Sequence, residues 1–295
     1  MNTEIKANET ALEEVTFAQR AFEVEVLRLE ELFQRPRIHD LTKPQRIHFH
    51  ALLLVEKGSA SHGVDFESYP AEPGHLFVIP AMHVQAFAPE RNLQGSMIIF
   101  TPRFLADCDR DVRQIEDARQ TLFSAGPHIP LDKTSFQRMQ KSIHMLDQQT
   151  QNPTTPYSDR AIVSAFSLTM FTLAGLPEVV AAGEANQPRD PLVLKFQQRL
   201  EADFTLTHQA THYAKALHVS LRTLDRHLMA ARSQTTRQAI SSRLILEAKR
   251  LLTRREMYIK NIAYDLGFSE PQNFTRFFRT HTGTSPETFR RMLDK

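Results

Sequence analysis

One pattern in this chain is written twice, and it limits what the C-terminal third can fold into. "HYAKALHVSLRTLDRHLMAA" places Tyr213, Ala214, Leu217, Val219, Ser220, Leu224, Arg226 and Leu228 in the order of Ile262, Ala263, Leu266, Phe268, Ser269, Phe274, Arg276 and Phe278 of "NIAYDLGFSEPQNFTRFFR". The offset is 49 residues up to the serine and 50 after it, so the second copy carries one extra residue in its turn. Each copy reads as a short helix with Ala at its closest contact, a turn, a Ser able to N-cap, and a second helix. A helix-turn-helix repeated in this way requires an all-helical domain, which we bound at residues 191–295.

The second helix of each copy has two faces. Leu221, Leu224 and Leu228 form the apolar stripe of the first, leaving Arg222, Asp225 and Arg226 opposite; Phe274, Phe277 and Phe278 form that of the second, leaving Gln272, Asn273 and Arg276. Long hydrogen-bonding side chains on the polar face suit the major groove, where Arg pairs bidentately with guanine and Asn or Gln with adenine. The charge balance agrees. Residues 189–295 hold 19 Lys and Arg against 10 Asp and Glu, a net +9, and the preceding residues carry −7. A basic end joined to an acidic remainder points to a polyanion partner for one end only. Between the copies, "SSRLILEAKRLL" predicts a connecting helix whose Leu244, Ala248, Leu251 and Leu252 pack on both modules. Holding the two reading helices about 34 Å apart would seat them in successive major grooves.

Residues 189–295 resemble the AraC/XylS family of bacterial transcription regulators, through "RLILEAKRLL", "NIAYDLGFSEPQNFTRFFR" and the terminal "GTSPETFRR". The resemblance implies binding to double-stranded DNA through Arg222, Asp225, Arg226, Gln272, Asn273 and Arg276. It also implies contact with RNA polymerase, a small-molecule effector, a homodimer and, more often than repression, activation. The first copy departs from the family pattern: His218 stands where the second has Gly267, and "SQTTRQAI" stands where the second has Gly-Thr-Ser-Pro. His tolerates left-handed backbone better than most residues, so the first turn can survive.

From Phe22 to Pro102 the chain reads as short strands divided by Gly and Pro, among them "FEVEVLRL", "RIHFHALLLVEKG", "PGHLFVIP", "MHVQAFAP" and "GSMIIFTP". This spacing predicts a small sandwich or barrel, similar to the cupin-like domain that the family resemblance implies, over residues 1–130. The period then changes. Phe136, Met139, Ile143 and Leu146 share one helical stripe, and a second helix covers Asp159 to Leu173; residues 131–176 are assigned as a dimerisation segment. "PEVVAAGEANQPRDP" is small, aperiodic and Pro-containing, so residues 177–190 read as a linker. The fold class is α+β: a cupin-like barrel with a helical segment, then an all-α domain.

Arg46, His48 and His50 alternate with Ile47, Phe49 and Ala51, so one set alone can face the barrel interior. If the polar set points inward, Arg46 holds a carboxylate and the two His bind hydroxyls of the effector. An HxH pair is also what metal cupins use. Here Glu56 follows His50 by six positions, Gln85 stands where a later His is wanted, and His83 comes two residues early. The expectation is therefore no metal, no cofactor and no catalysis. A metal-cupin enzyme with a DNA-binding appendage is the alternative, and a constitutive DNA-binding dimer without effector is another. A single Cys, Cys108, excludes an internal disulfide, and the absence of a long apolar run predicts no membrane segment and a cytoplasmic protein.

Overall fold

The computed structural model describes residues 23–34, 40–88, 93–111, 114–151, 156–186, 188 and 190–293. The residues divide into two compact units, with the chain passing from one to the other after residue 187.

The N-terminal unit runs β1 (Val24–Arg28), α1 (Leu29–Gln34), β2 (Gln45–Arg46), β3 (His50–Lys57), β4 (Ala60–Val64), β5 (Glu67–Ala71), β6 (His75–Ile79), β7 (Val84–Phe87), β8 (Gln94–Phe100), α2 (Pro102–Asp111), α3 (Ile115–Ser124), β9 (His128–Pro130), α4 (Lys133–Gln151), α5 (Ser158–Ala174) and α6 (Pro177–Asn186). Two antiparallel sheets result, of order β1-β8-β3-β6-β9 and β2-β7-β4-β5. The central strand β3 shows why "ALLLV" has no polar alternation. Ala51, Leu53 and Val55 fill the space between the sheets with Ile47, Phe49, Phe77 and Ile99, whereas Leu52 and Leu54 pack outward on the helices with Phe100, Met139 and Phe166. Both faces of this strand are covered, so both are apolar.

Here two sequence expectations are corrected. The stripe Phe136, Met139, Ile143 and Leu146 was assigned to dimerisation. Met139, Ile143 and Leu146 are instead buried within their own unit, with Phe136 packed beside them, because α4 lies on β1 and α5. The stretch read as a linker is largely helix α6, with Leu176 and Val179 fully buried. Glu178 fixes it: its carboxylate accepts from Asp132 N at 2.8 Å and Ser135 Oγ at 2.9 Å, at the start of α4. At the other end Asn186 Nδ2 donates to Ala125 O at 2.9 Å. Small residues such as Gly183, where a β-carbon would lie 3.1 Å from Ser124 Oγ of α3, permit this close packing and make the segment look unstructured.

The C-terminal unit is entirely helical among the described residues: α7 (Pro191–Asp203), α8 (Ala210–Ala216), α9 (Leu221–Arg232), α10 (Thr236–Leu252), α11 (Ile259–Asp265), α12 (Pro271–Thr282) and α13 (Pro286–Met292). One core joins both copies of the repeat through Tyr213, Ala214, Leu224, Leu228, Leu244, Ala248, Ile262, Ala263, Phe274 and Phe278. Among the described residues no single helix is long and apolar enough to cross a membrane.

Candidate nucleic-acid interface

The two helix-turn-helix copies close their first helices in the same way. In the first, Val219 N donates to Ala214 O at 3.0 Å and His218 N to Lys215 O at 3.0 Å; in the second, Phe268 N donates to Ala263 O at 2.9 Å and Gly267 N to Tyr264 O at 2.9 Å. This is the paired hydrogen bonding of a Schellman cap, which places the residue after the cap in left-handed backbone. His218 adopts it at φ 55° and Gly267 at φ 80°. The turn with His218 therefore survives. The apparent departure "SQTTRQAI" is also no break in the repeat. Ser233 takes φ 51° and Thr235 caps α10 in a capping box with Gln238; 50 residues on, Gly283 takes φ 78° and Ser285 caps α13 by accepting from Thr288 N, without the reciprocal bond of a box.

One cap differs. Ser220 Oγ accepts from Thr223 N at 3.0 Å and starts α9. Ser269 does not cap α12, whose N-cap is Glu270 with Pro271 at the first helical position. The extra residue in the second turn shifts the helix start past the serine.

On α9, Leu224 and Leu228 point into the core and Arg222 and Arg226 are exposed. Asp225 is engaged elsewhere: its Oδ1 accepts from Thr236 N at 2.8 Å and Thr236 Oγ1 at 2.6 Å, anchoring the start of α10. Asp225, expected from the sequence to read bases, is thus tied to the start of α10. It fixes α9 against α10. On α12, Phe274 and Phe278 are fully buried, while Gln272, Asn273 and Arg276 are exposed. Gln272, Thr275, Arg276 and Arg279 line one open cleft of about 820 Å³, with Lys260 of α11 on its wall. Lys260 and Arg279 were not singled out from the sequence. Arg279 was legible there, seven residues after Gln272 and three after Arg276 on one helical face; Lys260 required the fold to bring α11 beside α12. The cleft is lined by three basic side chains, three neutral hydrogen-bonding ones (Gln272, Thr275 and Thr280) and one carboxylate, Glu287, so its polar lining is net positive, a surface suited to phosphate and base edges.

The N-terminal site residues stand differently. Ile47, Phe49 and Ala51 occupy the space between the sheets, so the alternate set of Arg46, His48 and His50 does not. Arg46 Nε donates to Met82 O at 3.1 Å. His50 Nδ1 accepts from Ala81 N at 2.9 Å, and its ring lies 5.0 Å from those of Phe100 and Phe123, on the helix-covered side. His48 is half-buried between Ile47 and Phe49 in sequence. Arg46 and His50 are thus buried against the Ala81–Met82 turn, on the side away from the apolar set. The remaining members of the possible metal set are dispersed. Glu56 accepts from Arg28 and from Ser96 Oγ, and His83 Nδ1 lies 2.7 Å from Asp65 Oδ2. Among the described residues no three His, Cys, Asp or Glu side chains converge as a metal site.

Comparison with known proteins agrees with this geometry. Residues 213–292 match the helix-turn-helix domain family and residues 30–162 match the AraC-like ligand binding domain. The chain is 23% identical over 265 residues to the HTH-type transcriptional activator RhaS of Escherichia coli O1:K1 / APEC, spanning 88% of this chain and 91% of the relative. It is 24% identical to RhaS of Shigella sonnei (strain Ss046) over the same shares. Among solved structures, ToxT from Vibrio cholerae O395 aligns over 93% of this chain and 99% of its own, at 14% identity and a TM-score of 0.43. With an AraC-like ligand binding domain followed by a helix-turn-helix domain, the chain belongs to the AraC family of transcription regulators.

Proposed function

We propose that this chain is a ligand-responsive activator that binds paired DNA sites as a homodimer in the cytoplasm and contacts RNA polymerase there. The observation that carries the reading is the pair of capped helices α9 and α12, each held by a buried stripe and each exposing long polar side chains. Arg222 and Arg226 read from the first, and Gln272, Asn273 and Arg276 from the second; Lys260 and Arg279 serve the phosphates. Effector binding in the N-terminal domain shifts the balance between two arrangements, which requires different affinity for each. Occupancy mapped across the genome, with and without candidate metabolites, tests the reading directly. Sites unrelated to any promoter, or occupancy indifferent to every metabolite, would count against it.

Arg276 is the most informative position. Arg276→Ala should cost about 1–3 kcal/mol on the cognate site and flatten preference at one base pair. Removing a phosphate contact instead weakens all sequences alike. Binding to a panel of single-base variants distinguishes the two, and an equal loss on every member would remove Arg276 from the reading set.

With the α4 stripe buried, the homodimer needs a different surface. Leu168 and Phe171, one turn apart on α5, are 46% and 37% exposed. An apolar pair left exposed beside Ser164 on α5 suits a partner copy. Replacing both with Glu should give folded monomers with weaker binding to paired sites, by sedimentation and gel shift. A double variant that still sediments as a dimer would place the interface elsewhere.

A further inference from the structure

The space between the two sheets of the N-terminal unit has unlike walls. From the five-stranded sheet come Leu53, Phe77, Ile79, Met97 and Ile99, all apolar. The four-stranded sheet contributes Val64 and Phe87, but also His62 and Gln85, which are 0% and 7% exposed. In the strand register His62 pairs with Phe87 and Val64 with Gln85, so all four project to the same side. The His62 ring lies 4.9 Å from that of Phe77, edge-on, and 4.5 Å from that of Phe87.

Neither ring nitrogen of His62 has a hydrogen-bond partner in the protein, nor has Oε1 of Gln85. Burial pushes the imidazole down to about 3, opposed by the Gln85 amide beside it, although no hydrogen bond of normal geometry joins the two side chains. The ring is therefore neutral, with one donor and one acceptor nitrogen. Buried polar atoms without partners destabilise a fold, and an apolar pair of similar shape would fill this position better. A wall that retains them is built for a group supplied from outside. Arg46, the buried cation of the four-stranded sheet among the described residues, pairs in register with Val84 and so lies on the face opposite Gln85, which leaves no cation of that sheet to compensate an anion here.

We propose that His62 and Gln85 form the polar contact of an effector site between the sheets, and that the effector is uncharged and largely apolar with a single hydroxyl or carbonyl group. A ligand hydroxyl donates to Gln85 Oε1 or the free imidazole nitrogen and accepts from the ring N–H, while its body lies against Phe77, Phe87 and Met97. This inference rests on the ligand-responsive reading and adds the ligand's class. The wall is closed to solvent, so admitting a ligand requires the sheets to part, and that opening supplies the second arrangement which a switch needs.

Phenol, toluene and benzoate at millimolar concentration probe the site in the full-length chain, read by thermal unfolding and by the imidazole nitrogen resonances. Phenol should raise the Tm saturably, more than toluene or benzoate does, and shift the His62 resonances. His62→Phe and Gln85→Leu should each weaken phenol at least tenfold and leave toluene unaffected. Without ligand, His62→Phe should match or exceed the wild-type Tm, since it removes unpartnered atoms from a core; a lower Tm would show that His62 serves the fold alone. Absence of saturable phenol binding, benzoate as the tightest probe, or phenol binding unchanged in both variants would overturn the assignment. Genomic occupancy separates this inference from the reading beneath it. A metabolite response shared by wild type and His62→Phe overturns the site but leaves a ligand-responsive regulator, whereas a wild-type protein with no response removes both.

Discussion

Gly267→Ala should destabilise the C-terminal domain by about 2–5 kcal/mol, although it adds one carbon. The residue sits at φ 80°, and a β-carbon there would lie 2.1 Å from Thr205 O and 3.0 Å from Thr205 C. Those are backbone atoms, so no side-chain rotation relieves the clash. Left-handed backbone costs an L residue about 1–2 kcal/mol, and forcing extra volume into a packed site adds about 1–3 kcal/mol. The repeat supplies an internal control. His218, the counterpart in the first copy, already carries a side chain at φ 55°, so His218→Gly should be neutral or stabilising by about 1 kcal/mol. Denaturant unfolding of the full chain, following the C-terminal transition, checks both. Equal effects at the two positions would contradict the Thr205 contact. Because Gly267 sets the direction in which α12 leaves the turn, the Ala variant should also lose DNA affinity at temperatures where it is still folded.

Ile143→Glu should unfold the N-terminal domain rather than dissociate a dimer. Ile143 is 4% exposed and packs in the cluster of Met139, Leu146 and Phe166 between the sheet and α5. Losing its burial removes about 1.5–3 kcal/mol, and an unpaired carboxylate in that cluster adds a penalty of several kcal/mol unless it takes up a proton. Together these approach the whole stability of an ordinary domain, about 5–15 kcal/mol. Loss of the near-ultraviolet dichroism signal and rapid proteolysis within residues 23–186 are the expected readouts. A folded monomeric Ile143→Glu protein would restore the α4 stripe as the dimer interface. The paired substitutions at Leu168 and Phe171 should leave the fold intact, so the two experiments separate core from surface.

The helix-turn-helix repeat, its two buried stripes, the polar faces of α9 and α12, and the strand-rich first half are all legible from the order of residues. These follow from local periodicity and from residues whose own backbone preferences mark turns and caps, such as Gly267, Gly283 and Ser285. Even His218 was legible, because the ease with which a residue adopts left-handed backbone is a property of that residue. What lies across from a residue is not local, and it is settled by the packing of distant segments. Whether Arg46, His48 and His50 or Ile47, Phe49 and Ala51 face the interior depends on which side the opposing sheet packs, and the alternation fits either side. The α4 stripe would look the same beneath α5 or beneath a partner. Asp225 satisfies every sequence criterion for a reading residue until α10 begins beside it, and Pro177–Asn186 becomes a helix through Glu178 and Asn186, which reach residues 43–61 positions away. His62 and Gln85, 23 positions apart, meet on one wall only because β4 pairs with β7. Each of these outcomes is fixed by burial against a distant segment, a free energy that no window of neighbouring residues contains.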